Sequence, residues 1–312
     1  MISSEAVAIP LALVTTSALN GGLILEKRAL GAMPPLDPRR PVRAVVALLS
    51  SPAWLGGLAL MLSGLACQVI VLTLEPISLV QPVIAAGVAI SLVLSRIVLH
   101  ERLGRAESAC VAVMVVALVV LALSQAPVSG SGARHPDAVR VLALVIPSLA
   151  LGLLLATWPW RVRRGRGRHG RAPGRDATAL AICVGIGAGL LYGVGSIAIK
   201  GLSEVLTSDH TAAGLVTAII ASPYLYLLGA CSGSAMLLYQ AALQACRAAI
   251  LIPVSNVAGS AYFLVAGTWL FHEPLPASPV RLALRLFGIA AGGLVLVIMS
   301  LRSAGQAPQD AG

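Results

Sequence analysis

Charged residues are scarce in this chain, making up 11% of its 312 residues, while hydrophobic residues make up 58%. An average soluble domain carries about 25% charged residues. The shortage of charge, together with a mean hydropathy of +0.91, excludes an ordinary soluble protein. The sequence instead predicts a chain that lies in the lipid bilayer.

The sequence also lacks the residue patterns of enzymes, metalloproteins and disulfide-rich proteins. Its five cysteines show no C-x-x-C spacing, which argues against a zinc site or a disulfide framework. Its five histidines fall at the ends of apolar runs or in loops, and no Ser-His-Asp arrangement or phosphate-binding loop is visible. The sequence therefore predicts no catalytic residue, no bound metal and no cofactor, and the chain is not expected to be an enzyme.

Long apolar runs are what the sequence has in abundance. An α-helix rises 1.5 Å per residue, so about 20 apolar residues cross the hydrocarbon core of a bilayer. Nine runs of about this length are predicted to be membrane-spanning helices, giving an all-α polytopic bundle. They cover residues 6–26, 53–74, 77–99, 107–125, 139–160, 178–200, 222–245, 248–271 and 282–301. Two further apolar segments, 42–50 and 211–221, are too short to span.

Positive charge is concentrated in one segment, "RVRRGRGRHGRAPGR" at 161–175, which contains seven arginines. A nucleic-acid tract of this kind usually interleaves aromatic residues on which bases stack, and this one has none. Basic loops remain on the cytoplasmic side of a membrane because arginine is costly inside it. We therefore interpret 161–175 as a cytoplasmic loop and expect no nucleic-acid partner.

Placing that loop in the cytoplasm fixes the side of every other loop. Seventeen of the 22 lysines and arginines then fall on the cytoplasmic side, and five fall outside. The opposite topology would invert this bias and is rejected. The predicted protein is a multi-pass cell-membrane protein with its N-terminus outside and its C-terminus in the cytoplasm.

The sequence contains an internal repeat. "LNGGLILEKRAL" at 19–30 returns as "LYGVGSIAIKGL" at 191–202, and "LLSSPAWL" at 48–55 returns as "IIASPYLY" at 219–226. A His-Glu pair also occurs twice at a spacing of 172 residues. In each copy a Ser-Pro pair is predicted to begin a helix, because serine caps helix N-termini and proline favours the first helical position.

An odd number of crossings separates the two copies, so they are predicted to be inverted relative to each other across the bilayer. Residues 1–130 form the first repeat and 177–303 the second. The segment 138–176 holds a linking helix and the basic loop, and 304–312 is a short polar tail. Inverted repeats are typical of secondary transporters, whose substrate site lies where the repeats meet.

The segment "LEPISLVQPVIAAGVAISLVLSRIVLHERL" at 74–103 resembles the third helix of the drug/metabolite transporter superfamily, also described as EamA-like. Nine helices, an outside N-terminus and "ALNGGLILEKRAL" further resemble the NIPA-type magnesium transporters of that superfamily. Their first helix typically leads into a lysine-rich glycine-leucine turn. The corresponding residues here, Glu26-Lys27-Arg28-Ala29-Leu30, match it in part.

Polar side chains inside the apolar runs are the candidates for the substrate path, because lipid penalises them. Proline adds backbone carbonyls that lack their usual helical partner. The path candidates are Asn20, Gln68, Gln81, Pro82, Tyr192, Ser196, Tyr239, Gln240, Pro253 and Asn256. Of these, Asn20, Gln81, Tyr192, Gln240 and Asn256 are predicted to face one shared cavity. The candidates for gating or for hairpin ends are Glu75, His100, Glu101, His272 and Glu273.

Three functions remain open from the sequence. The first is a secondary transporter of a small metabolite or drug-like solute by alternating access, and the second is a NIPA-like magnesium transporter. All twelve carboxylates, Glu26 among them, are expected outside the helix centres, which argues against tight binding of a dehydrated cation. The third is a non-transporting membrane scaffold. The expected partners are the bilayer and a small-molecule or ion substrate, with a second copy of the chain as a further candidate.

Overall fold

The computed structural model describes residues 4–37, 40–74, 77–101, 103–124, 138–165, 175–207, 212–270 and 278–304. Every regular element in these ranges is an α-helix, in agreement with the predicted all-α class. The helices are α1 Ser4–Gly31, α2 Pro41–Leu49, α3 Pro52–Leu74, α4 Ile77–Val98, α5 Arg105–Leu123, α6 Ala138–Gly165, α7 Arg175–Thr207, α8 Ala212–Ala221, α9 Pro223–Ala245, α10 Ala248–Leu270 and α11 Pro279–Ala304.

Each of the nine apolar runs coincides with one of the longer helices, and the two short segments form α2 and α8. Among the described residues, five helices are long and apolar enough to cross a membrane, or six if the bent pair α2 and α3 forms one span. Helices extend into both ends of the basic tract, which was predicted to be a loop, and residues 166–174 lie outside the described residues. Helix α6 continues to Gly165 and α7 begins at Arg175, in keeping with arginine being a good helix former.

Both Ser-Pro pairs begin helices, as the sequence predicts. The Ser51 hydroxyl accepts a hydrogen bond from the Trp54 N–H at 3.3 Å, and the Ser222 hydroxyl accepts one from the Tyr224 N–H at 3.3 Å. The prolines that follow, at 52 and 223, occupy the first helical positions. At the first pair the chain turns by 86° between α2 and α3.

The two halves of the chain pack in similar ways. In the first half, here α1 to α5, α1 packs against α3 and α4. In the second half, here α7 to α11, α7 packs against α9 and α10, and it also carries α6 on its other side. The halves meet where α5 contacts α11 and where α10 contacts α4 and α5. Helices α7 and α10 are the most buried of the candidate spans, so they form the centre of the bundle.

The glycines of "GIGAGLLYGVG" (185–195) bring α7 close to its neighbours. A Cβ atom on Gly189 would lie 2.6 Å from the Ser255 carbonyl oxygen of α10, and one on Gly187 would lie 2.6 Å from the Gly152 carbonyl oxygen of α6. Side chains cannot fit at such distances, so only glycine permits these contacts. This segment therefore serves close helix packing, and small residues at such interfaces are common in membrane proteins.

Candidate functional site

Glu26 lies on α1, which faces α9 of the second half. Its side chain is fully buried, because α1 continues beyond it to Gly31 and α3 approaches closely on one side. From the sequence this carboxylate was predicted to lie outside the helix centre, and that position argued against tight binding of a dehydrated cation. Glu26 does lie near the end of α1, but it is buried where α1 meets α9 rather than exposed at the end of its helix.

Gln240 of α9 reaches across to Glu26. Its Nε2 group donates a hydrogen bond to Glu26 Oε2 at 2.6 Å, and the Gln240 side chain is 2% exposed. The second oxygens of both groups, Glu26 Oε1 and Gln240 Oε1, are buried and have no hydrogen-bond partner among the described residues. Buried polar atoms normally have partners. This pair therefore has two oxygen atoms available to a ligand.

Tyr192 of α7 and Tyr239 of α9 lie beside this pair. Their rings make an edge-to-face contact with centroids 6.2 Å apart. The Tyr239 side chain is buried beside Ser255 of α10. Both phenol groups lie within electrostatic range of Glu26. Helices α1, α7, α9 and α10 thus each contribute a polar side chain to one region between the halves.

Two polar residues interrupt the buried surface of the central helices. Between 177 and 198 on α7, Tyr192 is the one exposed position, and between 248 and 264 on α10, Asn256 is the one exposed position. Both were predicted to line a path. A lipid-facing surface would penalise a phenol and an amide, so their exposure favours an open, polar space next to the two helices.

The other predicted path residues are placed as follows. Asn20 is buried and its Nδ2 group donates to the Thr16 carbonyl oxygen at 2.9 Å, while Asn256 donates to the Ile252 carbonyl oxygen at 2.8 Å. The Ser196 hydroxyl donates to the Tyr192 carbonyl oxygen at 3.0 Å. Pro253 lies buried within α10. The structure thus joins Tyr192, Tyr239 and Gln240, whereas Asn20 and Asn256 bond within their own helices.

Several candidates fall where the structure gives no side-chain description. Gln68, Gln81 and Pro82 belong to α3 and α4, but their side chains lie outside the described residues. Glu75, His272 and Glu273 also lie outside them. The predicted shared cavity stays a prediction.

Glu101, from the first His-Glu pair, connects the two halves. Its Oε1 and Oε2 atoms accept hydrogen bonds from the Ala248 and Ala249 N–H groups at 2.9 and 3.0 Å. It therefore occupies the N-terminus of α10, where the helix dipole favours negative charge. Its neighbour His100 ends the preceding helix in a left-handed conformation with φ of 53°.

Lys27 of α1 binds the opposite helix end. Its ammonium group donates to the Leu243 carbonyl oxygen at 2.6 Å and to the Cys246 carbonyl oxygen, and it lies 3.5 Å from Glu101 Oε1. A cation at the C-terminus of α9 is favoured by the helix dipole. Lys27 and Glu101, which both belong to the first half and lie 3.5 Å apart, thus bind the turn between α9 and α10 of the second half.

Arg247, in the same turn, makes a bidentate ion pair with Glu107 of α5, at 2.8 and 2.9 Å. Its Nη2 group also donates to the Thr178 hydroxyl of α7 at 3.1 Å. We call Lys27, Glu101, Glu107 and Arg247 the ionic lock. It closes one face of the bundle between the halves, and that face is the cytoplasmic one in the predicted topology.

The sequence alone did not identify Glu26, Lys27, Glu107 or Arg247 as site residues. Arg247 was counted only among the topology markers, and Lys27 only among those markers and in the partly matching turn at 26–30. The signal that was present is the position of Glu26 immediately after an apolar run and directly before two cations, "LILEKR". Nothing in the sequence pointed to Gln240 as its partner, because the two are 214 residues apart.

Two comparisons with known proteins found similarity to magnesium transporters. The family model described as magnesium transporter NIPA matches residues 4–141, which cover the first half. The chain is 25% identical over 304 residues to a probable magnesium transporter NIPA9 of Arabidopsis thaliana, covering 95% of this chain and 83% of the relative. No solved structure matches the chain. The matches confirm the resemblance predicted from the sequence, and they support a multi-pass membrane transporter.

Proposed function

We propose that this chain transports magnesium across the membrane by alternating access, along a polar path between its two halves. The observation that carries the proposal is the pair of exposed polar positions, Tyr192 and Asn256, on the two most buried helices. Of the two, Tyr192 lies within electrostatic range of the buried carboxylate Glu26. A path that contains a carboxylate and amide oxygens suits a hard cation, since magnesium prefers oxygen ligands and keeps several waters.

The proposal places the two halves as inverted repeats, in nine membrane spans, that rock about their interface. The equivalent Ser-Pro helix starts and the similar packing of α1 and α7 support this arrangement. The ionic lock holds one face shut while Glu26 is sealed from solvent. Opening the lock would connect the Glu26 region with the cytoplasm.

Transport itself is tested with the purified full-length chain in liposomes. We expect the wild-type chain to move Mg²⁺ down a gradient, measured with a magnesium-sensitive dye inside the liposomes. A panel of small metabolites and organic cations is assayed in parallel. Flux of a metabolite without flux of Mg²⁺ would replace this proposal by the first function expected from the sequence. No flux of either would leave the scaffold as the remaining function.

An organic-cation carrier is the second candidate, because one observation favours it. The edge-to-face pair Tyr192 and Tyr239 lies beside the Glu26 carboxylate, and aromatic faces bind organic ammonium groups. The same flux panel distinguishes it from magnesium transport.

The path residues are tested by Asn256→Ala, with Val265→Ala as the matched control on the same helix. Val265 is an exposed apolar residue of α10, so shortening it should leave flux unchanged. We expect Asn256→Ala to lower the Mg²⁺ flux severalfold while the thermal unfolding midpoint stays close to that of the wild type. Lost stability with normal flux per folded molecule would assign Asn256 a purely structural role. Gln81→Ala is expected to behave as Asn256→Ala does.

The proposed orientation is tested by cysteine labelling in intact cells. Arg168→Cys lies in the basic tract and should resist a membrane-impermeant thiol reagent, whereas Ser3→Cys should react. The wild-type chain, whose five cysteines are buried or partly buried, is the control for background labelling. The reverse pattern would show that the charge distribution has been interpreted in the wrong direction.

A further inference from the structure

We infer that Glu26 and Gln240 form a binding site for a hydrated divalent cation, with Glu26 Oε1 and Gln240 Oε1 as the protein's two oxygen ligands. The inference rests on the proposed function and specifies where along the path the ion stops. Three features of the described residues support it: burial, unused oxygen atoms and the absence of a neutralising cation.

Burial makes the ionised form of the Glu26 carboxylate energetically unfavourable. Glu26 is 0% exposed, and an ionised carboxylate away from water is strongly unfavourable unless a positive charge balances it. Among the described residues, its side chain accepts a hydrogen bond from one group, the neutral amide of Gln240. A carboxylate in this position therefore needs a cation or a proton.

The nearby basic side chains are committed elsewhere. The Lys27 ammonium group, although next in sequence to Glu26, binds the carbonyl oxygens of Leu243 and Cys246 and the carboxylate of Glu101. Arg247 is paired with Glu107. The ion pairs among the described side chains, Lys27 with Glu101 and Arg247 with Glu107, do not include Glu26. The negative charge of Glu26 is therefore available to a bound cation.

The two oxygen atoms without a partner, Glu26 Oε1 and Gln240 Oε1, indicate which kind of ion would bind. Gln240 Nε2 is fixed on Glu26 Oε2, which orients the amide and leaves its oxygen, together with Glu26 Oε1, unpartnered among the described residues. One carboxylate oxygen and one amide oxygen are hard ligands of the kind that Mg²⁺ takes, and water can fill its other positions. No group of three His, Cys, Asp or Glu side chains lies together in the described part of the chain. The site is thus built for an ion that keeps most of its water.

Tyr192 and Tyr239 lie near the proposed cation site. Tyr239 is buried and Tyr192 is 37% exposed, and both are within electrostatic range of Glu26. Their hydroxyl groups can accept and donate hydrogen bonds to the waters of such an ion. Tyr192, as the exposed member, marks the side from which the ion arrives.

The test measures binding of Mn²⁺ to the full-length chain in detergent, by the loss of the electron paramagnetic resonance signal of free Mn²⁺, with Mg²⁺ as competitor. We expect Glu26→Gln to weaken binding at least about tenfold. Asp37→Asn is the matched control, since it removes a carboxylate that lies beyond the end of α1, and it should bind as the wild type does. Unchanged binding in Glu26→Gln would overturn the inference.

A second variant keeps the test valid if Glu26→Gln does not fold. Gln240→Glu adds a second carboxylate beside Glu26 and should raise the affinity for Mn²⁺, because more ligand charge strengthens divalent binding. Weaker or unchanged binding in this variant would contradict the assignment of Gln240 as a ligand. Binding of tetraethylammonium that Mg²⁺ does not displace would assign the site to organic cations and overturn its assignment to a divalent ion.

The outcomes separate this inference from the proposed function. If the wild-type chain transports Mg²⁺ and Glu26→Gln transports and binds equally well, the site is wrong and the function stands. If the wild-type chain binds Mn²⁺ through Glu26 but moves no Mg²⁺ in liposomes, the site stands and the function is wrong.

Discussion

Reversing the charge of Arg247 is expected to open the locked face and to raise the reaction rate of Cys246 with a small maleimide by roughly tenfold, the effect of a shift of about 1.4 kcal/mol in the closed-to-open equilibrium. Cys246 precedes Arg247 in the turn between α9 and α10 and is 5% exposed in the closed arrangement. It is therefore a native reporter of opening. The variant is made in a background in which Cys67, Cys110, Cys183 and Cys231 are replaced by alanine.

The physical reason is the geometry of the pair. Arg247 and Glu107 form two parallel hydrogen bonds at 2.8 and 2.9 Å, and bidentate pairs of this kind are stronger than single ion contacts. Both side chains are about one quarter exposed, so solvent screens part of their attraction. Arg247→Glu replaces the attraction by repulsion between two carboxylates across the junction of α5 with the second half.

The charge swap identifies the pair as the cause. Arg247→Glu combined with Glu107→Arg restores opposite charges and should return the labelling rate most of the way to that of the parent. Recovery will be incomplete, because Glu107 also accepts the Gly104 N–H at the start of α5. Arg43→Glu makes the same charge change at an exposed position of α2 and should leave labelling unaltered. Equal labelling in Arg247→Glu and the parent would show that the lock does not hold the face closed.

The fold was predictable because its signals are local. Each apolar run is long enough to specify a long helix by itself, and Ser51-Pro52 and Ser222-Pro223 carry their capping chemistry within two residues. The glycines of 185–195 are small residues of the kind that membrane helices use for close packing, but the sequence does not show that Gly187 contacts α6 and Gly189 contacts α10.

The site was predictable only in part, because its contacts join distant parts of the chain. Tyr192, Tyr239 and Gln240 stood out as polar residues in apolar runs. Glu26 did not, since a carboxylate at the end of an apolar run is normally solvated, and its burial depends on how α9 and α3 approach α1. Glu101 was named as a gating or hairpin-end candidate, but its contact with the start of α10 spans 147 residues.

Substituting Gly57 of α3 by alanine is expected to disturb the position of Glu26, because Gly57 packs directly against α1 at this residue. A Cβ atom on Gly57 would lie 2.8 Å from Glu26 Cγ, 2.8 Å from the Glu26 backbone nitrogen and 2.9 Å from the Gly22 carbonyl oxygen. Two of these three atoms belong to the backbone of α1, so the strain cannot be relieved by a side-chain rotation. Helix α3 must move away from α1, or Glu26 must leave its position beside Gln240.

We therefore expect Gly57→Ala to lower the stability by about 1 to 3 kcal/mol, the usual cost of overpacking a close contact. It should also weaken Mn²⁺ binding, because the Glu26 carboxylate no longer holds its distance of 2.6 Å from Gln240 Nε2. Thermal unfolding in detergent measures the first effect and the paramagnetic resonance titration the second.

The neighbouring glycine supplies the control for this last prediction. A Cβ atom on Gly56 meets nothing within 4 Å, so Gly56→Ala makes the same chemical change on the same helix without a clash. Alanine is the better helix former by about 1 kcal/mol, and Gly56→Ala should therefore be as stable as the wild type or more so, with normal binding of Mn²⁺. If Gly56→Ala and Gly57→Ala behave alike, the close approach of α3 does not position Glu26. If Gly57→Ala alone loses binding, the contact between α1 and α3 holds the carboxylate in place for the ion.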